Sequence, residues 1–428
     1  MTISSHEHET GPVAEPADEL RPIAEPYLLV IGIPIFVDAD GKRWVDDLWH
    51  KDLVEHLTYL KNLTLAAPLR QHAQPAGAQC ISDDVRFADL KYVDLPASDS
   101  LIAGVFDWPR IFSRLWHAVG RARIVHAGVA EWPIPLGWAA TIAAKLRRRP
   151  LLINIESAFW RVPPNAPLPK RARAWLWERI NGWCVRQAAL PLFTQREYAR
   201  QMLGRADRAH IFQASWIDGA DLIDERAADA SWDAKDQDPQ LRLLFAGRLV
   251  PEKGISDLLA AVGGLQFPLR LDVIGSGELA SEVLDAARRD PRIRLLPPVP
   301  YDSSFFELVR EYHALMLPGR TDEQPRIAYD AYSQAVPVLA TATAGNAECV
   351  IDGQAGYLCP TQDIPALAGM IQKANVDRAS LRKMGMRALS VARGYTHQEM
   401  HRRRWKLLAT FLRLSETVSS RHGGNASL

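Results

Sequence analysis

Seven segments between Leu241 and Gly319 alternate strictly in character. LRLLFAG, LRLDVIG, IRLLP and HALMLPG are short apolar runs. GISDLLAAVGGL, ELASEVLDAARR and SSFFELVREY, between them, space their apolar residues as a helix does. Strands separated by helices cannot pair as hairpins. They must lie parallel, with a helix carrying the chain back across the sheet each time. Helices then cover both faces, which is why the runs are apolar throughout rather than alternating. PVLAT extends the series.

The same alternation, less clean, runs from Tyr27 to about Trp216. YLLVIGI, NLTLAAP, ARIVHAGV and PLLINIE read as strands, and LWHKDLVEHLTYL and GWAATIAAKLRR as helices, the first capped by Asp47. PIFVDADGKRWVDD reads as a polar loop. Its Asp38 and Asp40 read as a surface turn rather than a metal pair. IDGADLIDERAADASWDAKDQDPQ is polar, acidic and aperiodic, and reads as a linker. Two doubly wound α/β domains with a cleft between them are therefore expected, and 428 residues exceed what one core usually organises.

Composition narrows the function. A net charge of +1 gives no general attraction to nucleic acid. Cys80, Cys184, Cys349 and Cys359 are scattered without a C-x-x-C pair, against a zinc site or a disulfide framework. MTISSHEHETGPVAEPADEL lacks the apolar stretch of a signal peptide and reads as a disordered tail. No run is long enough to span a bilayer, so a cytoplasmic protein is expected.

Ligands of doubly wound sheets bind beyond the carboxyl ends of the strands. Four such mouths carry chemistry. GRLVPEKG places Arg248 and Lys253 beside a helix start, a suitable site for a diphosphate. IGSGE offers Gly275 and Gly277 for close backbone approach. In TDEQPRIAYD, Pro325 suits the first turn of a helix, with Asp322 or Glu323 near its cap and Asp330 about two turns inside. TATAGNAECV adds Gly345 and Glu348. No G-x-G-x-x-G follows a strand with an acidic residue after the next one, so a dinucleotide-dependent oxidoreductase is set aside.

GRLVPEKG, VIGSGEL, MLPGRTDEQPRIAYDAYSQAVPVLAT and AGNAECVIDGQAGYL, in that order, resemble the C-terminal half of retaining glycosyltransferases of family four. The resemblance covers Leu241 to Thr396 and is weak before Trp216. It implies the GT-B fold and this plan: a disordered tail over 1–22, an acceptor-binding domain over 23–220 and a linker over 221–240. A nucleotide-sugar domain follows over 241–396, then a helix over 397–415 that crosses back to the first domain, and a flexible tail over 416–428.

The resemblance also implies roles. Arg248 and Lys253 would hold the diphosphate of a nucleotide-sugar donor. The family's two glutamates fall on Asp322 and Asp330, both shortened to aspartate; the first would meet the sugar, with Glu323 as the longer substitute, and the second the ribose. Gln324 and Arg326, in the same turn, are counted with the donor site. DEQP replaces the family's glycine-rich turn, and Ala335 its usual glycine. The implied reaction transfers a sugar with retention to a hydroxyl of a glycan or lipid-linked glycan. Side-chain cations would serve without a metal or other cofactor. Acceptor contacts are expected from His126, as a base or polar contact, and from Glu156; a hydrogen-bonded core histidine is the other reading of His126. PKRARAWLWERINGW reads either as a peripheral membrane contact or as a partly buried surface helix. The lost glutamates and glycines also leave open a non-catalytic scaffold protein in glycan assembly.

Overall fold

The computed structural model describes residues 21–71, 77–131, 133–162, 165–205, 207–321 and 323–423. The chain divides into two units. Among the described residues, one runs from Gln213 to Glu399, and the other joins Arg21–Phe212 to the stretch from Met400 onward.

The N-terminal unit contains β1 (Tyr27–Val30), β2 (Ile35–Val37), β3 (Arg43–Val45), α1 (Asp47–Tyr59), β4 (Leu63–Gln71), β5 (Gln79–Cys80), β6 (Lys91–Pro96) and α2 (Leu101–Arg121). Then come β7 (Ile124–Gly128), α3 (Leu136–Leu146), β8 (Leu151–Ile155), α4 (Leu168–Gln187), β9 (Leu190–Phe193), α5 (Arg196–Leu203) and β10 (His210–Ile211). Its parallel strands lie in the order β10-β9-β8-β7-β1-β4-β6. The sheet therefore starts at β1, builds outward through β4 and β6, and then reverses to β7 on the other side of β1. Leu28 and Val30 face the core under α2, α3 and α4, while Tyr27 and Leu29 face the core under α1.

The second unit contains α6 (Glu225–Asp236), β11 (Leu241–Ala246), α7 (Ile255–Gly263), β12 (Leu269–Ile274), α8 (Ala280–Arg289), β13 (Ile293–Leu296), α9 (Ser303–Arg310) and β14 (Ala314–Leu317). It continues with α10 (Ile327–Ser333), β15 (Val338–Thr341), α11 (Ala344–Cys349), β16 (Gly356–Cys359), α12 (Ile364–Val376) and α13 (Arg378–Ala392). All six strands are parallel, in the order β13-β12-β11-β14-β15-β16. Counted along the chain this is 3-2-1-4-5-6, the doubly wound dinucleotide-type order with its reversal between β11 and β14. Side chains of β11 alternate between two cores, with Leu243 and Phe245 on one side and Leu244 and Ala246 on the other.

Several boundaries differ from the sequence reading. The 221–240 linker is mostly helix α6, capped by Asp224, whose side chain accepts from Ala227 N–H. Trp232 of α6 is fully buried and donates to Ala335 O at 2.9 Å. The helix escaped notice because Ala228 and Trp232 are its only buried apolar residues, too few to establish a period. The unit boundary falls at Gln213 rather than 220. The loop after β1 holds the β2–β3 hairpin, whose turn is closed by Asp38: its carboxylate accepts from Asp40 N–H, Lys42 N–H and Trp44 Nε1. Asp46, not Asp47, caps α1. The terminal helix α14 (His397–Gly423) runs beyond 415, so the expected tail is helical as far as 423, and 424–428 lie outside the described residues. Of the expected N-terminal tail, 1–20 lie outside them too, but Arg21 O accepts from Trp405 Nε1 at 2.8 Å.

One buried ion cluster fixes strand register in the second sheet. Asp272 of β12 is fully buried and lies directly opposite Arg294 of β13. Its two oxygens take Arg294 Nε and Nη2 at 2.7 Å each, and Tyr312 Oη donates to it at 2.7 Å. Burial pushes the Asp272 carboxyl up, but the Arg294 and Tyr312 hydrogen bonds outweigh it and hold the pKa below its ordinary value. A lowered folded pKa gives stability that is present above the unfolded pKa and is lost as pH falls through the folded one. Asp272→Asn is expected to lose roughly 2 kcal/mol at neutral pH, near the low end for charged hydrogen bonds because Arg294 is half exposed. Urea denaturation at neutral pH and below about pH 4 checks this; the gap to wild type should narrow in acid.

Candidate functional site

Beyond a point of reversal, the loops after two adjacent strands leave in opposite directions and open a crevice. In the second unit those loops follow β11 and β14. The first holds Arg248 and Lys253. The second holds Gly319 to Pro325, of which Asp322 lies outside the described residues. Lys253 Nζ lies 2.9 Å from Glu323 Oε2, and Arg248 Nη2 lies 3.6 Å from the same oxygen. The two expected cations thus converge on one anionic point. Burial pushes the Glu323 carboxyl up, yet Lys253, with Arg248 and Arg326, outweighs that and holds its pKa below the usual value. Gly254 makes the approach possible. Its φ is +70°, and a Cβ there would fall 1.8 Å from Pro318 O.

Other expected donor residues take different places. Gly275 and Gly277 serve loop packing rather than open space. Their φ values are +155° and +151°, and a Cβ would fall 1.9 Å from Gly247 O and 2.4 Å from Leu249 O. They let the β12 loop lie against the β11 loop that carries Arg248. Gln324 is spent on structure: its amide donates to Ala214 O and accepts from Ala214 N–H, both at 2.9 Å. Arg326 is exposed over the Trp216 ring at 5.6 Å and is the cap residue of α10. The helix therefore starts at Ile327, not Pro325, and Asp330 stands in its first turn rather than two turns inside. Gln334 ends the helix and Ala335 leaves it at φ +55°, the conformation a glycine would take without strain.

Asp330 is buried, and its Oδ1 accepts from Tyr301 Oη at 2.8 Å. Burial and then the Asp330 charge push the Tyr301 phenol far above its ordinary pKa. Tyr301 follows the mouth of β13, and the sequence reading missed it; a lone tyrosine after a proline-rich turn carries no sequence signal. Glu348 stands in α11, beyond the mouth of β15.

In the N-terminal unit His126 is the middle residue of β7, not a strand end. It is buried, with its Nδ1 2.9 Å from Tyr27 Oη. Burial holds the ring far below its ordinary pKa. It is a core histidine with no surface for an acceptor. Glu156 does stand at the mouth of β8, exposed, and accepts from Asn154 Nδ2 at 2.7 Å.

A residue the sequence reading missed stands at the reversal of this sheet. Glu131, after β7, reaches the mouth of β1 and accepts backbone N–H bonds from Gly32 and from Leu136, the latter at 2.8 Å. It lines a pocket with Gly32, Arg70, Ser98, Gly104 and Ile134. Part of its surface stays accessible, but burial raises its carboxyl to about 7. The Gly32 contact joins residues 99 positions apart, so no local pattern announces it.

Among the described residues one cluster has the make-up of a metal site: Asp52 and His56 on α1 with His401 on α14. Asp52 Oδ1 lies 3.1 Å from His401 Nε2, and Arg404 Nη1 lies 2.9 Å from His56 Nε2. The guanidinium already supplies the cation, and the cluster lies under the sheet, away from the strand mouths. No helix among the described residues is long and apolar enough to cross a membrane.

The family model of glycosyl transferases group 1 matches residues 240–375, which lie in the second unit. Glycogen synthase of Mycobacterium tuberculosis is 27% identical over 146 residues, 33% of this chain and 35% of the relative. D-inositol 3-phosphate glycosyltransferase of Nocardia farcinica is 30% identical over 227 residues, 47% of this chain and 48% of the relative. The chain thus spans a third to a half of the curated relatives it matches. The Anabaena HepE structure, solved with UDP, covers 90% of this chain and all of its own, with a TM-score of 0.64 at 14% identity. That likeness and the two reversed parallel sheets make the fold GT-B.

Two outcomes follow. The Glu131 carboxyl rises from an ordinary 4.5 to about 7 on folding, so its contribution is full below the unfolded value and is lost as pH rises through the folded one. The melting temperature of Glu131→Gln, followed from about pH 5 to pH 8, should gain on wild type as pH rises. If Asp330 meets a nucleotide's ribose, as the resemblance implies, Asp330→Asn should weaken UDP binding severalfold in calorimetry with little change in melting temperature, whereas a purely structural Asp330 would show the reverse.

Proposed function

We propose that the protein is a retaining glycosyltransferase of the hexosyl type. It would move a sugar from a nucleoside-diphosphate sugar to a hydroxyl of a glycan or lipid-linked glycan in polysaccharide assembly. The observation that carries this reading is the convergence of Arg248 and Lys253 on one carboxylate oxygen at the reversal of a 3-2-1-4-5-6 sheet. A pair of cations fixed there suits a diphosphate leaving group, whose charge grows as the anomeric bond breaks. The HepE structures hold UDP in one case and UDP-glucose in another, which favours a uridine donor.

In this mechanism the diphosphate displaces Glu323 from Arg248 and Lys253, which then hold it. Asp330, anchored by Tyr301, accepts from the ribose hydroxyls. Asp322 or Glu323 meets the sugar. The acceptor hydroxyl attacks the anomeric carbon on the face the diphosphate leaves. Its proton passes to the departing phosphate oxygen, so configuration is kept without a protein nucleophile. Acceptor contacts come from Glu131 and Glu156 in place of His126. Since side chains neutralise the charge, EDTA should leave turnover largely unchanged.

Turnover of UDP-glucose, with calorimetry of UDP binding, tests the reading. Lys253→Ala should weaken UDP binding roughly 10–100-fold, and exposed Arg248→Ala by about tenfold or less. Glu323→Gln should tighten UDP binding, because it removes the internal competitor. Wild-type affinity in both cation variants would sink the clamp. UDP binding without any turnover would favour the scaffold protein instead.

A further inference from the structure

The amino end of the N-terminal sheet, opposite the strand mouths, carries charge of mainly one sign. Helices α2 to α5 end there, and the turns after them lead into the next strands. Exposed cations stand at the starts of the strands. In the spatial order β10-β9-β8-β7-β4-β6 they are Arg208, Arg186, Arg148, Arg123, Lys61 and Lys91. β1 sits between β7 and β4. Neighbouring strands lie about 4.8 Å apart, so the row runs for roughly 30 Å. Among the described residues of these turns the acids are Glu25, Asp89 and Asp207, and Asp207 already pairs with Arg205. A chain of net charge +1 thus keeps one strongly basic border.

Cations at helix C-termini are ordinary, because they meet the carbonyl end of the helix dipole. Two features go beyond that. Arg123, Arg148 and Arg208 make no side-chain hydrogen bond or ion pair with another described residue. Arg148 also takes φ +53°, left-handed backbone that a glycine occupies without strain. Its neighbours hold the turn: Arg147 lies over the Trp116 ring at 4.1 Å, and Arg149 Nη2 donates to Gly120 O at 2.9 Å. Folding alone would favour a glycine at 148, yet an exposed arginine stands there. The cations of the stretch 169–183 stand apart from this row, because they begin α4 at the mouths. That stretch is a partly buried surface helix, with Trp177 buried and Glu178 paired with Arg161.

We propose that the row binds an acidic polysaccharide, its guanidinium groups paired with sugar carboxylates. The arginine fork takes a carboxylate through two parallel hydrogen bonds. A polyuronate carries one carboxylate per sugar, a repeat of the same order as the strand spacing. Other polyanions fit less well. Single-stranded nucleic acid stacks its bases on aromatic faces, but Trp116 and Trp183 are covered by Arg147 and Lys145. A protein interface needs an apolar centre and a bilayer contact an apolar anchor. Among the described residues of these turns and helix ends, only Leu146 is a large exposed apolar side chain. The row lies at the far end of the sheet from the Glu131 pocket, so it holds a glycan rather than reacting with it. A chain held there stays with the protein between transfers. That use rests on the transferase reading; the binding itself does not.

Affinity electrophoresis and calorimetry with polygalacturonate test the binding without any turnover. Wild-type protein should bind it, more weakly as salt rises, and should ignore neutral dextran. Arg123→Glu/Arg148→Glu should weaken binding roughly tenfold or more. Arg288→Glu/Arg289→Glu, on α8 of the second unit, changes the net charge equally and should bind as wild type does. Arg148→Gly removes one cation together with the left-handed strain, so it should weaken binding severalfold without lowering the melting temperature. Wild-type protein that fails to bind, or row variants that bind as it does, would overturn the proposal. So would equal weakening in the α8 variant, which would report net charge alone. Tighter binding of oligothymidylate, polyglutamate or phosphatidylglycerol vesicles, at equal charge concentration, would assign the row to nucleic acid, protein or lipid instead. Failure to bind UDP would defeat the transferase reading and leave these outcomes untouched.

Discussion

A parallel strand cannot pair with its successor until the chain has crossed back over the sheet, and the rest of this protein follows from that constraint. Every crossover starts at a strand's carboxyl end, so all the loops free to carry chemistry gather along one edge of each sheet. Where strand order reverses, two neighbouring loops part, and the backbone N–H groups and side chains there lack a covering helix. Both sheets reverse once, between β1 and β7 and between β11 and β14. The Glu131 pocket lies at the first reversal, and the Arg248–Lys253–Glu323 group at the second. Neither is an independent feature grafted on a scaffold; each fills a gap that the topology must leave.

Legibility in the sequence followed burial. Five of the six strands of the second sheet stood out as apolar runs, and the cations after β11 could be located from them; β16, four residues led by a glycine, did not. The β2–β3 hairpin, half exposed and only three residues per strand, looked like loop. Helix α6 hid because a single tryptophan anchors it. His126 misled for a related reason: a polar residue inside a strand reads as the strand's end, unless a partner such as Tyr27, on a strand distant in sequence, satisfies it. Glu131 and Tyr301 matter through neighbours brought in by the fold, which no local period encodes. Sequence alone also could not tell that Gly275 and Gly277 are needed for one loop to pack on another.

The crossing helix is held by polarity as well as by apolar contact. Trp405, Leu408 and Leu412 of α14 join the core under β1, but Asp52, His56, Tyr59, His401 and Arg404 are buried beside them. Tyr59 Oη lies 3.1 Å from His401 Nδ1, and Asp52 lies on the ring's other nitrogen. A buried network of this kind adds little to stability against a well-packed apolar core, because desolvating its charges offsets their attraction. It does penalise misplacement strongly, since a helix shifted by one residue would strand Asp52 and Arg404 without partners. Such selectivity suits a helix that lies beyond the whole of the second unit in the chain yet packs in the first.

The same reasoning explains Glu323. Two cations held near one point repel each other, and burial weakens the solvent's relief of that repulsion. A carboxylate between them removes the conflict, which is why its pKa is depressed despite partial burial. A diphosphate carries more charge and more acceptor oxygens than one carboxylate, so it can replace Glu323 if it also pairs with the cations while Glu323 returns to water. On the proposed transferase reading, the affinity for a nucleotide would be a difference between two good interactions rather than the sum of one. The pairing of Glu323 with Lys253 and Arg248 ties the loop after β14 to the loop after β11, so on that reading whatever displaced Glu323 would also free the turn that leads into Asp330.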